Sequence, residues 1–324
     1  MPSISLNGML NTAVVNNIEG LRARIEARGE EATTGFQSDL VRHLNGRIDQ
    51  ALLGERAIQD NADEQSRLGL RRIRLSLTDS ALTSVRELSA DLQIGMLAAI
   101  GTGEVESQNL FATEARTAMD DVLSRLSARN GERFLFSGDA TATRPFGTAD
   151  ELLDDVRAIA AAATDEADFA AQLDTYFDDP AGGFQTSFYR GAQTASDPDS
   201  VLGNQSAFAD VLRGLSVMAL SHTAQSVPFT GADSPALTTA LERLERGRTE
   251  LVNIQANVGL RSANQDNELT LLEREQTLLN QAFTDLAGKD QFEAATQLRE
   301  LEANLEASYL LTTRLSNLSI LNFL

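Results

Sequence analysis

The sequence predicts a mainly α protein: an elongated bundle of long helices with paired N- and C-terminal helices, a β-hairpin near 132–146 and a small mixed α/β insert. Three observations predict it. Apart from Pro2, every proline (Pro145, Pro180, Pro198, Pro228, Pro235) lies in one central segment, leaving both flanks free of the residue that breaks helices from within. Apolar residues in both flanks recur at steps of three and four. Between 146 and 235, 14 Asp and Glu meet only Arg157, Arg190 and Arg213, a net of −11 in a chain of formal net charge −20, which marks that segment as an exposed insert. Aromatics are sparse at 5%, as befits long bundles packed by Leu, Ala and Ile.

Taken in order, residues 1–18 carry no charged side chain, yet Ile4, Leu6, Leu10, Val14, Ile18 and Leu21 fall on one side of a helix. Leu70, Ile73, Leu77, Ala81, Val85, Leu88 and Leu92 form one stripe. With its lead-in from about Arg47, that helix runs some 50 residues, on the order of 75 Å at 1.5 Å per residue. A second helix, roughly 104–129, carries Leu110, Met119, Val122 and Leu126. Past the insert, Leu237, Leu241, Leu244, Leu251, Ile254 and Val258 continue the pattern. Leu269, Leu272, Gln276, Leu279, Phe283 and Leu286 then make a heptad seam with one polar position. The last helix repeats it from Ala294 through Leu298, Leu301 and Leu305 to Leu315.

The stretch 307–324 carries only Arg314, with Leu311, Leu315, Leu318 and Leu321 on one face. Solvated termini are usually charged and ragged. Ends that are amphipathic but uncharged on their polar side are expected to be covered by other protein on more than one side. Leu6, Leu10, Val14, Ile18, Leu311, Leu315, Leu318 and Leu321 are therefore the expected assembly interface. The expected organisation has three parts: a terminal coiled-coil assembly region (1–40 with 290–324), a helical rod (41–145 with 236–289) and the acidic exposed insert (146–235).

Between the helices, 130–146 reads NGERFLFSGDATATRPF. Phe134, Leu135 and Phe136 are a β-prone run bounded by Gly131 and by Ser137-Gly138. Strands over 132–136 and about 140–146 are expected, anchored by Phe134, Phe136 and Phe146, with Gly138 supplying a backbone conformation that side chains disfavour and Pro145 closing the turn.

Several chemistries are excluded. There is no cysteine, so no disulfide, thiolate nucleophile or Cys-ligated metal. His43 and His222, the only histidines, have no metal-ligand spacing. GTGEVES at 101–107 lacks the third glycine and preceding strand of a phosphate loop, and Ser137 lacks the flanking glycine of a nucleophile elbow. Asp197 and Asp199 form a charged turn with too few oxygens for a calcium loop. No enzymatic activity and no cofactor are expected. A charge of −20 argues against nucleic acid as partner. The first basic residue is Arg22 and no 18-residue apolar run exists, so neither a Sec-type signal peptide nor a membrane span is expected.

Proline-free flanks, an acidic centre and uncharged heptad termini together resemble the flagellin superfamily. Within it, 130–146 resembles the NGxYxFAGxxTxTxPF signature of the hook-associated proteins of the hook–filament junction. Asn130, Gly131, Arg133, Phe136, Gly138, Thr141, Thr143, Pro145 and Phe146 match, with Ser137 in place of Ala and Phe134 in the aromatic slot. The run 301–324, LEANLEASYLLTTRLSNLSILNFL, resembles that family's closing helix, and FYRGAQ at 188–193 its YxGG stretch. Where the family has STGKRxxxPSDDP, this chain keeps Thr34-Gly35 but lacks the proline and acidic pair, which leaves the turn at 33–46 open. The resemblance implies a structural subunit of the bacterial flagellum connecting hook and filament, with a flagellin-type filament subunit as the alternative. It implies extracellular location after export without a cleaved signal peptide, and self-assembly into a ring. It also implies the other hook-associated junction protein, flagellin and an export chaperone as partners. A cytoplasmic coiled-coil scaffold would share the heptads but not the uncharged ends.

Overall fold

The computed structural model describes residues 6–44, 46–231 and 233–321. It is mainly α. In chain order come α1 (Leu6–Thr34), α2 (Leu40–Leu44), α3 (Ile48–Thr102), α4 (Val105–Leu126), β1 (Arg129–Asn130), β2 (Arg133–Phe134), α5 (Ala149–Ala162), α6 (Glu166–Asp178), α7 (Ser206–Leu220), α8 (Pro235–Ala287) and α9 (Gln291–Leu321). A π-helical turn spans Phe184–Phe188 and a 3-10 turn Thr223–Gln225. The proline-free flanks thus hold helices of 55 and 53 residues, α3 and α8.

The chain forms two compact units, 1–66 with 270–324 and 67–269, whose boundaries fall inside α3 and α8. This differs from the three-part division expected from proline and charge, because 146–235 shares a core with the helices on either side. Leu152, Leu153 and Val156 of α5 and Phe169, Leu173 and Phe177 of α6 are buried, and so is every residue of α7 from Ala207 to Leu220. That segment is neither an exposed insert nor mixed α/β. Its extended pairing, among the described residues, is the single bridge Phe146–Tyr189. Most of its acids sit on the outer faces of α5 and α6, and a net charge does not report on the inner ones.

In the first unit α1 and α9 pack antiparallel. Arg22 donates from Nε and Nη2 to the Tyr309 hydroxyl at 3.1 and 2.6 Å, and at the other end of the pair Gln291 reaches the Thr33 carbonyl. Within the turn at 33–46, left open by the sequence, residues 35–37 form a short antiparallel clasp with 287–289. Gly35 leaves α1 with φ +76°, Phe36 bridges Gly288, Gln37 N–H donates to Ala287 O (3.0 Å) and Lys289 N–H to Gly35 O (2.8 Å). The Phe36 ring lies 5.6 Å from that of Phe283.

In the second unit α7 is wrapped by α4, α5, α6 and α8. Its sequence AFADVLRGLSVMAL places two charges in the core, Asp210 and Arg213, both almost wholly buried. Neither is alone. Arg213 pairs with Asp174 at 2.6 Å, while Asp210 receives Arg246 through Nε and Nη2 (2.6 and 2.7 Å) and Arg243 at 3.2 Å. Buried charge persists only when paired and hydrogen-bonded in this way. A second ionic tie holds the turn at 197–199: Asp199, buried, takes Arg71 and Gln265, each at 2.8 Å, and Asp197 takes Arg74 at 2.6 Å.

The stripe on α3 is covered unevenly. Ala81, Val85 and Leu92 are buried, whereas Leu70, Ile73 and Leu77 are 64, 53 and 39% exposed. The cause is length. α4 turns back at Gly103 and has 22 residues; at equal rise per residue it covers α3 only to about residue 80.

Candidate assembly surface and the 129–146 motif

Two helices can cover only one stripe of each other, and α1 and α9 show the result. Ile18, Leu21 and Ile25 of α1 and Leu298 and Leu305 of α9 are half-buried, Ala294 and Leu301 are buried, and Val15, Leu310 and Leu311 are exposed. Of the eight expected interface residues, Ile18 is thus half-buried and Leu311 is 60% exposed. Leu6, Leu10 and Val14 belong to α1 and Leu315, Leu318 and Leu321 to α9, but their side chains lie outside the described residues. At the far end of the pair Glu31 is buried. Burial alone would raise its carboxyl, but the Ser38 backbone N–H, Arg28 and the Ser38 hydroxyl together hold it below the usual carboxylate range.

The 129–146 motif belongs to the second unit. The hairpin is present but shifted: its strands pair Arg129 with Phe134 and Asn130 with Arg133, with Gly131 (φ +62°) in the turn. Residues 140–146, expected as the second strand, are not one. From Phe136 onward the backbone bonds instead to 189–203. Gly203 N–H donates to Phe136 O at 3.0 Å, Ala192 N–H to Ser137 O at 2.9 Å, and Arg190 N–H to Pro145 O at 2.8 Å. Thr141 O and Thr143 O are taken by Phe134 N–H (2.8 Å) and the Ser137 hydroxyl (2.6 Å).

The three phenylalanines and the second glycine have distinct places. Arg129 lies over the Phe134 ring, 4.0 Å from its centroid. Phe136 is fully buried, and Phe146 sits among Phe184, Phe188, Tyr189 and Phe208 with centroids 5.6–6.4 Å away. Gly138 is buried at φ +58°, where a Cβ would stand 2.5 Å from Thr194 O. The motif is therefore a packing nucleus around which the segment 184–208 folds.

Sequence reasoning missed the side-chain donor of this nucleus. Tyr189, whose hydroxyl lies 3.1 Å from Phe136 O and 3.0 Å from Ala192 O, has its phenol pushed by burial up to about 12. It missed the Asp210–Arg246 pair as well. Its signal was available: Asp210 and Arg213 stand three apart in an otherwise apolar helix, a spacing that puts both on one face.

Among the described residues, no helix is long and apolar enough to cross a membrane, and no three His, Cys, Asp or Glu are grouped to hold a metal ion. No curated protein sequence matches the chain. Among solved structures, FlgL of Bacillus cereus aligns with a TM-score of 0.46 and 14% identity, over 72% of this chain and 96% of its own. A putative flagellar hook-associated protein from Vibrio parahaemolyticus aligns with a TM-score of 0.47 and 14% identity, over 73% and 95%. Residues 241–324, which comprise most of α8 and all of α9, match the family described as the bacterial flagellin C-terminal helical region.

Proposed function

We propose that the chain is a non-catalytic structural subunit of the bacterial flagellum, placed at the junction between hook and filament. The observation that carries the flagellar reading is the match of residues 241–324 to the flagellin C-terminal helical region. The α1/α9 pair supports an assembling role, since among its described residues Val15, Leu310 and Leu311 stay exposed and Ile18, Leu21 and Leu305 are only partly buried. Neighbouring copies would bury the remainder in a ring, and the small uncharged Ser, Thr and Asn of both ends cost less to desolvate than charges would. Within the flagellum, the 130–146 resemblance favours the junction over the filament. The partners in this reading are further copies of the chain, the other hook-associated junction protein, flagellin, and a chaperone covering the C-terminal helix before export to the cell exterior.

The flagellin match also suits a filament subunit, and copy number separates the two: filament subunits are made in far greater number than one ring requires. The decisive experiment is gene deletion with electron microscopy. Hooks without filaments and flagellin shed into the medium are expected; filaments of normal length would overturn the reading.

A further inference from the structure

We propose that the groove between α3 and α4 receives the uncovered Leu70–Ile73–Leu77 stripe of a second copy of this chain, an inference that rests on the assembling role above. The groove is a shallow, open depression with a volume of about 390 Å³. Its floor is apolar, formed by Leu88, Leu92, Phe111 and Ala118. Phe111 can lie so close to α3 because Gly95 has no side chain; a Cβ there would stand 2.2 Å from a carbon of its ring. The rim is acidic: Asp91, Glu114 and Asp121 stand at the edge, and no lining residue is basic. Such a groove fits aliphatic side chains flanked by arginine.

The chain carries such a segment itself. Four of its 27 basic residues lie within 67–74. Leu70, Ile73 and Leu77 are exposed there, and the Arg71 and Arg72 side chains beside them remain 40 and 56% exposed. The Arg72–Asp266 pair at 3.2 Å is a surface pair that costs little to exchange. Copies with a net charge of −20 repel unless a basic patch meets an acidic one. Groove and stripe occupy one face of one helix, so they cannot meet within a chain; they can meet only between chains. Where each copy offers its groove and its stripe to different neighbours, the contact propagates into a ring or helix; reciprocal two-fold pairing would instead close it as a dimer.

The absence of native cysteine permits a direct test in the full-length protein. Ile73→Cys and Thr117→Cys, both at exposed positions, are made separately, checked for unchanged melting, mixed and oxidised. A disulfide-linked heterodimer in about tenfold excess over either homodimer is expected. Glu114→Arg with Asp121→Arg should abolish the excess, and Arg72→Glu added on the Ile73→Cys partner should restore part of it. Heterodimer at or below the statistical share while the wild type still forms rings would overturn the contact and leave the flagellar role standing. A specific heterodimer together with normal filaments in the deletion strain would uphold the contact and overturn the flagellar role.

Discussion

The ring of Phe136 meets the ring of Phe208 edge to face, 5.6 Å between centroids. This joins the 129–146 motif to the buried helix α7, so the motif and the acidic central segment stand or fall together. Phe136→Asp puts a carboxylate where no partner can reach it. A loss of several kcal/mol is expected, as usual for an unpaired buried charge. A melting temperature within a degree or two of wild type would contradict the packing.

Gly138 tests the turn that follows. At φ +58°, with Thr194 O and Ala192 O closing over it, an added methyl has neither a comfortable backbone nor space. Gly138→Ala should cost about 1–3 kcal/mol in urea unfolding. An unchanged midpoint would mean that the 192–194 backbone yields.

Asp210→Ala removes the carboxylate that Arg246 holds through two N–H groups and that Arg243 also reaches; Arg246 is half exposed and Arg243 keeps Asp174 and Asp178. The lost charged hydrogen bonds and the void in α7 should cost about 1–3 kcal/mol. The matching comparison is Asp266→Ala, at an exposed pair with Arg72, expected to cost under about 1 kcal/mol. Equal effects of the two variants in denaturant melts would refute the distinction drawn between core and surface.

Acid should destabilise the protein in a defined direction. Glu31, Asp139 and Glu151 are all held below the ordinary carboxylate value: Glu31 because its hydrogen bonds and Arg28 outweigh burial, Asp139 by the Ser196 N–H, Glu151 by the Thr148 N–H and then Arg190. For a group depressed in the folded state, the contribution is complete above its unfolded pKa and is lost as pH falls through the folded one. Thermal melts should therefore be flat from neutrality to about pH 5 and drop below about pH 4. Glu31→Gln should flatten that drop for the first unit. A rise in melting temperature on acidification would invert the sign and exclude this account.

The terminal pair should be the least protected part of the free chain. With much of the described seam only partly covered, α1 and α9 have less of the buried face that a helix needs to persist in water. In hydrogen exchange, amides of 13–27 and 302–313 should exchange well before those of 82–96 and 207–220. Equal protection would make the pair part of a closed bundle and remove the need for neighbouring copies.

Much of this fold is legible in the sequence because helical periodicity is a local property: the stripe from Leu70 to Leu92 and the seam from Leu269 to Leu286 mark α3 and α8 without reference to anything distant. What each stripe packs against is not local. Leu70, Ile73 and Leu77 read the same as Ala81 and Val85, and only the length of α4 separates exposed from buried. The acids of 146–235 misled for a related reason, since Asp150, Asp154 and Leu153 average together in composition while facing opposite ways on α5. Phe134-Leu135-Phe136 was legible as an anchor, but the hydrogen-bond partners of Phe136 lie more than 50 residues on, at Gly203 and Tyr189, beyond any turn rule.

The clasp at Gly35 and Gly288 has a mechanical corollary. The connector leaving α1 and the connector entering α9 are hydrogen-bonded to each other, Gln37 to Ala287 and Lys289 to Gly35, with the Phe36 ring tilted against that of Phe283. Neither link can flex without its fellow. The two terminal helices therefore share one doubled joint, and torque applied to either is delivered to both.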